Sequence, residues 1–319
     1  MRFHLNPLEN KIVGELTFRS KGLLHVGSGG VEARRRFIKV SDGRFLIPSS
    51  TWKGAFRSLS EKVFRSMKFK GISKIAADLY EEGRDGISYR PTDEEKKKEF
   101  KQVGEDMINA LRGGAPSILP EKPNMIKNIL RELGYEDREI GIVRDEGFDA
   151  PGRLAERMTE DYLAVHCPLG RLYGNKVLAA KLRFTDSLLN IKKTYEKPGI
   201  GIDRRTGKVQ EATLYFIEVA PRDLKVKLRV IADNLKPEEE DSLILASTLD
   251  IIKEIGLQIG ARKSVGLGEL EIDEKETRFY IVDLRSDKDG MKLANPLKNV
   301  KPKRMGEFIR WLRGVNQDR

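Results

Sequence analysis

The chain has 319 residues, of which 39% are hydrophobic and 34% charged, and its one cysteine is Cys167. This hydrophobic content excludes a disordered chain, and a lone cysteine excludes an internal disulfide and a cysteine-based zinc site. Lys and Arg number 60 against 49 Asp and Glu, a formal net charge of +11 that favours polyanionic partners, nucleic acid before acidic membrane. Neither a signal peptide nor a membrane-spanning apolar run is evident, so we expect a cytoplasmic protein without a membrane partner.

The first elements in chain order are a strand, a hairpin and a helix. Residues 12–20, IVGELTFRS, alternate with Ile12, Gly14, Leu16 and Phe18 on one face, which predicts a strand. RRRFIKVSDGRFLIPSS predicts a hairpin that turns at Asp42 and Gly43. The following TWKGAFRSLSEKVFRSM predicts a helix whose apolar stripe recurs at helical spacing. The stripe consists of Trp52, Phe56, Leu59 and Val63.

The middle of the chain, residues 67–165, differs in character. It contains the solvated charge run TDEEKKKEFKQ and the segment NMIKNILRELGY, in which Met125, Ile129 and Leu133 recur at helical spacing. We therefore predict a mostly helical insertion, with these three side chains on the buried face of one of its helices.

The second half of the chain returns to strand patterns. ATLYFIEVA predicts one strand, and DLKVKLRVIA alternates Leu224, Val226, Leu228 and Val230 with cations, which predicts another. EEEDSLILASTLDIIKEIGLQIG predicts a long helix, with Leu245, Leu249, Ile252 and Ile255 on one face. The strands GELEI and RFYIVDL and an amphipathic helix, MGEFIRWLRGV, follow.

The order strand, helix, strand, strand, helix, strand predicts the α+β class, with a ferredoxin-like (RRM-type) core whose helices cover one sheet face. We divide the chain into four parts. Residues 1–66 begin the core, 67–165 form the helical insertion, 166–285 complete the core, and 286–319 form a C-terminal helical extension. The third part contains a basic hairpin at about 195–215 and a glycine-rich loop at 260–268.

The glycine-rich loop, GARKSVGLGELEI from residue 260, is the most informative stretch. Gly260, Gly266 and Gly268 surround Arg262 and Lys263, so that backbone can approach a ligand closely and cations can contact phosphate. The loop does not fit the P-loop pattern, in which the second glycine directly precedes the lysine. A simple turn from helix to strand needs one left-handed glycine rather than three. The residues favour a sugar-phosphate ligand, with a basic turn as the alternative.

This loop resembles the C-terminal glycine-rich loop of the RAMP superfamily, the RNA-binding subunits of CRISPR effector complexes. Further stretches resemble family segments in the same order, namely GLLHVGSGG, FLIPSSTWKGAFRSLSE, CPLGRLYG and KPGIGIDRRTGKVQEATLYFIEVAP. The last of these is similar to the projecting β-hairpin, or thumb, of the family. Within the superfamily, the chain resembles the backbone subunits of type III complexes.

The resemblance implies a CRISPR guide-RNA-binding subunit that helps capture single-stranded target RNA in antiviral defence, together with other effector subunits. Guide RNA would lie along a groove on the subunit, where base pairing reads sequence and the protein reads backbone. The positions that match RNA-contacting segments lie in the first helix (Lys53, Arg57), in the thumb (Arg204, Arg205, Lys208) and in the glycine loop (Gly260, Arg262, Lys263, Gly266, Gly268).

The resemblance also raises the question of catalysis. Catalytic backbone subunits of type III complexes place a metal-binding aspartate where this chain has Arg34, Arg35 and Arg36, which cannot bind Mg²⁺ and would instead hold phosphate. We therefore expect a non-catalytic subunit without a cofactor or metal.

Three alternatives remain. The first is a target-RNA endoribonuclease that uses Mg²⁺ or Mn²⁺ with Glu32 as its acid; Asp42 lies at the wrong distance. The second is a guide-processing endoribonuclease of the same superfamily with His25 as general acid or base, although packing is the favoured role of that side chain. The third is a general single-stranded RNA-binding module, which would need exposed aromatic side chains on the sheet.

Overall fold

A computed structural model provides the structure of the protein, and it describes residues 7–27, 34–83, 86–200, 205, 215–285 and 300–315. The chain divides into two compact units. The sheet unit comprises residues 9–63 and 182–319, and the helical unit comprises residues 1–8 and 64–181.

Within the described residues the strands are short except for β1 and β10. In chain order they are β1 (Asn10–Ser20), β2 (Arg34–Arg35), β3 (Leu46–Ile47), β4 (Glu81–Gly83), β5 (Gly86–Ser88), β6 (Leu182–Phe184), β7 (Ser187–Leu188), β8 (Tyr195–Gly199), β9 (Tyr215–Val219), β10 (Lys225–Asp233), β11 (Leu257–Gln258), β12 (Glu269–Ile272) and β13 (Arg278–Asp283).

The described helices are α1 (Ser49–Ser66), α2 (Gly71–Asp78), α3 (Glu94–Leu111), α4 (Pro123–Glu132), α5 (Asp137–Glu146), α6 (Leu154–His166), α7 (Pro168–Tyr173), α8 (Glu240–Ile255) and α9 (Met305–Leu312). They include five, α3 to α7, that follow one another without an intervening strand. None of the described helices combines the length and apolar character that crossing a membrane requires.

The sheet unit is built around the antiparallel sheet β11-β12-β1-β10-β6, in which β13 also pairs with β1. The two longest strands, β1 and β10, run side by side from Lys11 opposite Asp233 to Arg19 opposite Lys225. Their alternation confirms the sequence prediction, because the apolar set of each strand is buried while the cations of β10 are exposed. The mixed α+β class is therefore confirmed, with an antiparallel sheet at the centre of this unit.

Aromatic contacts attach the helices to one face of this sheet. The ring of Trp52 on α1 stacks on that of Phe18 in β1, with 5.3 Å between the ring centroids. Near the other end of β1, the ring of Phe279 in β13 stacks on that of Phe308 in α9 at 4.2 Å. Gly14 of β1 faces the Phe279 ring, and a β-carbon there would lie 2.9 Å from a ring carbon. The absence of a side chain at Gly14 thus makes room for the stacked pair.

A smaller sheet, β2-β9-β8, carries the basic hairpin predicted from the sequence. Strands β8 and β9 pair antiparallel from Tyr195 opposite Val219 to Gly199 opposite Tyr215. Residues 201–204 and 206–214 of the tip, with Arg204 and Lys208, lie outside the described residues.

The helical unit contains α2 to α7 together with the β4-β5 hairpin. Its α3 begins at a side-chain cap, since Asp93 accepts hydrogen bonds from the amides of Glu95 and Lys96. The sequence prediction for α4 was wrong in phase: Ile126 and Leu130 are buried, whereas Met125 is 54% exposed. Pro123 begins the helix, and the buried face starts one residue later than the spacing from Met125 suggested.

We predict that Gly14→Ala lowers the free energy of unfolding by about 1–3 kcal/mol, because the methyl group would press on a ring that is already stacked. Gly54→Ala is the matched control, since Gly54 lies on the exposed face of α1 and a β-carbon there meets nothing within 4 Å. Alanine at that helical position should raise the free energy of unfolding by about 0.5–1 kcal/mol. Urea denaturation of both variants measures the difference, and equal effects would contradict this account of Gly14.

Candidate nucleic-acid interface

The glycine-rich loop joins β11 to β12 through a backbone that is left-handed at four positions. Gly260 has φ of 75°, Gly266 of 80° and Gly268 of 81°. Arg262 is also left-handed, with φ of 60°, and it precedes a short 3₁₀ turn at Lys263–Val265. Left-handed backbone costs a residue with a β-carbon about 1–2 kcal/mol and costs glycine almost nothing. The three glycines are therefore required by the path of the loop itself.

Two of these glycines allow close contact between backbone segments. A β-carbon on Gly260 would overlap the carbonyl oxygen of His25, and one on Gly268 would overlap that of Ile259. At the same place the amide of Ala261 donates to the His25 carbonyl at 3.1 Å, and the amide of Gly268 donates to the Leu23 carbonyl at 2.9 Å. Gly260 and Gly268 thus fix the loop against residues 23–25, which follow β1.

Gly266 differs from the other two glycines because a β-carbon there would meet nothing within 4 Å. The residue is exposed, and so are its neighbours Lys263 and Val265. The part of the loop that can receive a ligand therefore lies around Lys263–Gly266, while the two ends of the loop are held by the fold.

We predict that Gly260→Ala and Gly268→Ala each lower the free energy of unfolding by about 2–5 kcal/mol, since left-handed strain adds to overlap with a carbonyl oxygen. Gly266→Ala should cost only about 1–2 kcal/mol, because it carries the conformational strain alone. Urea denaturation of the three variants tests this order. A Gly266 variant as unstable as the other two would show that the open side of the loop is also part of the packing.

Arg262 is held by Tyr215, the first residue of β9. Its Nη1 donates a hydrogen bond to the Tyr215 hydroxyl at 3.0 Å, and its guanidinium carbon lies 4.6 Å from the centre of the tyrosine ring. A cation over an aromatic face is attracted by the ring electrons. No local sequence pattern indicates this contact, because 47 residues separate the two positions. Lys263, the next residue, is exposed. The loop therefore presents one cation whose orientation is fixed by Tyr215 and a second cation that is exposed to solvent.

The arginine segment, residues 34–36, lies along the edge of β9 opposite to the one that pairs with β8. Strand β2 pairs with β9 in parallel, with Arg35 opposite Ile217, and the side chains of Arg35 and Arg36 are exposed. Glu218 of β9 holds this segment, since its carboxylate accepts a hydrogen bond from the amide of Phe37 at 2.7 Å. Glu32, the acid of the endoribonuclease alternative, lies outside the described residues, and only the backbone of Arg34 is described.

Contacts with the protein lower the pKa of the Glu218 carboxyl. Its partial burial acts to raise the pKa, but hydrogen bonds from the Thr194 hydroxyl and the Phe37 amide outweigh this effect. The positive charges of Lys39 and Arg36 lower the pKa further, so the net shift is downward. The carboxylate therefore stays ionised and orders the backbone next to the arginines.

His25 is buried, with 2% of its surface exposed. Its Nδ1 lies 2.7 Å from the Glu218 carbonyl oxygen, so Nδ1 carries the hydrogen and donates it. Burial lowers the pKa of His25, as do the charges of Arg35 and Arg262, and the carbonyl contact opposes the shift only in part. Its own carbonyl receives the Ala261 amide, so His25 connects β9 to the glycine loop in the way that the packing interpretation describes.

We predict that the free energy of unfolding falls as the pH is lowered from about 7.5 to about 5.5. The folded-state pKa of His25 lies below its unfolded value of about 6.5, so acid protonates the unfolded chain first and stabilises it. Burial also lowers the pKa of His166, which acts in the same direction. His25→Asn keeps an N–H near the position of Nδ1 and removes one titration. Urea denaturation at both pH values should show a smaller decrease in this variant, and an identical decrease would contradict the account.

The cations of α1 lie on two different flanks of the helix. At roughly 100° per residue, Lys53 and Arg57 lie almost opposite Ala55 and Lys62. Arg57 pairs with Glu61 at 3.0 Å, and burial together with the charge of Arg57 lowers the pKa of Lys53. Lys62, which the sequence reasoning did not select, lines one cleft together with Lys263 of the glycine loop. Of the α1 cations, Lys62 is therefore the one that the fold brings to the loop.

The remaining sequence candidates lie apart from this loop or are only partly described. Arg205 is exposed in a turn at the hairpin tip. In the described part of the chain, no three side chains of His, Cys, Asp or Glu come together as a metal site would require. His166 and Cys167 belong to the helical unit, where Cys167 is buried and His166 lies 3.3 Å from the carboxylate of Glu121.

The structure therefore describes an α+β protein in which a basic, glycine-rich loop is held against the segment that follows the first strand of the sheet. The chain belongs to the RAMP superfamily of CRISPR-associated proteins, since the sequence model of that superfamily matches residues 17–271. The matched range begins within β1 and ends within β12, and it includes the glycine loop, the arginine segment and the hairpin. No individual curated protein matches the chain.

Proposed function

We propose that the protein is a CRISPR guide-RNA-binding subunit of a type III effector complex, where it holds the guide backbone and helps capture single-stranded target RNA. The observation that carries the proposal is the glycine loop. Its ends are fixed by hydrogen bonds to Leu23 and His25, while Lys263 and Gly266 are exposed between them. Cations on a rigid, open backbone suit a phosphate chain, because they bind without reading the bases.

The arrangement of the sheet unit supports a ferredoxin-like core. Reading β1, α1, β6, β10, α8 and β12 along the chain gives strand, helix, strand, strand, helix, strand. The sheet order β12-β1-β10-β6 places the fourth of these strands beside the first, and the third between the first and the second. This is the arrangement we infer for the core, with the helical unit inserted between α1 and β6.

We also propose that the subunit is cytoplasmic and does not cleave RNA. The three arginines at positions 34–36 stand where catalytic relatives have a metal-binding aspartate, and they favour a phosphate contact over a cation. His25 supports the same proposal, since its buried ring is engaged with the Glu218 carbonyl. A metal, Mg²⁺ or Mn²⁺, enters only if the endoribonuclease alternative holds.

The general RNA-binding alternative has less support in the sheet. On the two central strands, β1 and β10, the described side chains of the face away from the helices include no aromatic residue. Lys225, Lys227 and Arg229 of β10 point to that face and are exposed. On these two strands bases would therefore find charge rather than an aromatic stacking surface, although the half-buried Tyr280 of β13 lies on the same face, opposite Val13.

We predict that Arg262→Ala with Lys263→Ala weakens binding to all single-stranded RNA sequences about equally. The slope of log affinity against log salt should become shallower by about 0.7 for each phosphate contact that is lost, or about 1.4 for two. Filter-binding titrations at several salt concentrations measure both quantities. Lys98→Ala with Arg138→Ala, exposed cations of the helical unit, removes the same charge and is the control.

Equal affinity and slope in the loop variant and the wild type would make the loop a basic turn only. A slope change of the same size in the control would show that general charge, rather than this loop, binds RNA. The same labelled RNA should stay intact when Mg²⁺ is added. Cleavage that disappears in Glu32→Ala would instead support the metal-dependent alternative.

A further inference from the structure

A cleft of about 290 Å³ opens beside the glycine loop, between α1 and the C-terminal end of α8. Leu59 of α1 and Leu257 of β11 contribute apolar surface, and Ile251 and Ile255 of α8 contribute more. Polar side chains also line it, namely Ser58, Gln258 and Glu269. The cleft therefore presents apolar side chains together with hydrogen-bonding and charged groups, as small-ligand sites do.

Ile255 is the unexpected member of this cleft. The helical spacing predicted that it would share the buried stripe of Leu245 and Leu249, and this was wrong, because its side chain is 78% exposed. Ile255 ends α8, and the following Gly256 is fixed against β12, where a β-carbon would lie 2.5 Å from the Leu270 carbonyl oxygen. The backbone next to the exposed isoleucine is therefore held in place by the fold, and an exposed apolar side chain in a cleft indicates a ligand or partner surface.

Two lysines determine which ligand fits. Lys62 of α1 and Lys263 of the glycine loop both line the cleft, against a single carboxylate, that of Glu269. A flat apolar ligand that carries a negative charge matches this surface. The volume lies at the lower end of the range for pockets that hold drug-sized molecules, so it suits one nucleotide rather than a longer segment.

We propose that this cleft receives one base of the bound RNA, with its face against Leu59 and Ile255 and its phosphate between Lys62 and Lys263. Gln258 and Ser58 are the side chains that can hydrogen-bond the base edge. The inference rests on the proposed function, because Lys263 belongs both to the cleft and to the backbone-binding loop. It adds a contact of a different kind, since an apolar surface responds to the presence of a base and not to phosphate charge.

The test uses the full-length protein and a short labelled single-stranded RNA, together with copies that each lack one base at one position. Ile255→Ala should weaken binding of the intact RNA about five- to tenfold, a range typical of losing apolar contact with one base. The salt slope should stay unchanged, because no cation is removed. Removing the base at one position should weaken wild-type binding by a similar factor and should not weaken the Ile255→Ala variant further.

Met125→Ala is the matched control, since Met125 is an apolar side chain that is 54% exposed on α4 of the helical unit. It should bind every RNA as the wild type does. Both side chains are exposed, so we expect both variants to fold, and circular dichroism checks this.

Two results would overturn the inference. Ile255→Ala could bind the intact RNA as tightly as the wild type, or it could lose the same factor on every abasic copy. If the first result came with a change in sedimentation, the cleft would be a protein-docking surface instead. If the wild-type protein bound none of these RNAs, the proposed function itself would be refuted. A failure of the cleft alone is a different result, because the wild-type protein would then still bind RNA.

Discussion

The contact between the glycine-rich loop and the segment after β1 is the constraint on which the rest of the site depends. Gly260 lets the loop backbone approach the His25 carbonyl more closely than a side chain would permit, and Gly268 does the same against Ile259 while its amide donates to the Leu23 carbonyl. The carbonyl of His25 receives the loop, while its ring donates to Glu218 of β9. The Glu218 carboxylate in turn orders Phe37 beside the arginine segment. One buried histidine thus joins three basic segments that are far apart in sequence.

The parts of the fold that depend on the local spacing of apolar residues could be predicted from the sequence. The alternation of β1 and β10 was correct because the apolar residues that recur with a two-residue period lie on the face that the helices cover, although Val13 and Thr17 on the other face of β1 are buried as well. Predictions that depended on helix phase were weaker. Met125 and Ile255 both fit an apolar spacing, yet neither is buried, because the spacing does not say where a helix begins or what covers its last turn. The family itself was recognisable from ordered motifs, and the match over residues 17–271 confirms it.

Only part of the candidate site could be predicted from the sequence, because the rest depends on contacts between distant segments. The glycines and cations of the loop mark it in the sequence. Two of the three glycines nevertheless serve packing, and the sequence alone does not show which backbone segments lie beside them. The contact of Arg262 with Tyr215, and the position of Lys62 in the same cleft as Lys263, likewise bring together residues that are far apart in sequence. Such contacts follow from the sheet order, and no local pattern encodes them. The loop therefore separates into ends that maintain the fold and an exposed middle that is available to a ligand.

The position of β1 in the sheet has a consequence for how the chain folds. All its sheet partners, β10, β12 and β13, lie beyond residue 224, and the hydrogen bond from Thr17 to Thr277 spans 260 residues. Closing so long a loop is entropically costly, and non-local strand pairing is slow. During synthesis on the ribosome, β1 emerges long before its partner strands, so its apolar face stays unpaired. The helical unit, whose contacts are nearer in sequence, is completed in that interval. The protein is therefore most exposed to aggregation or chaperone capture before β10 emerges, and this interval is set by topology rather than by final stability.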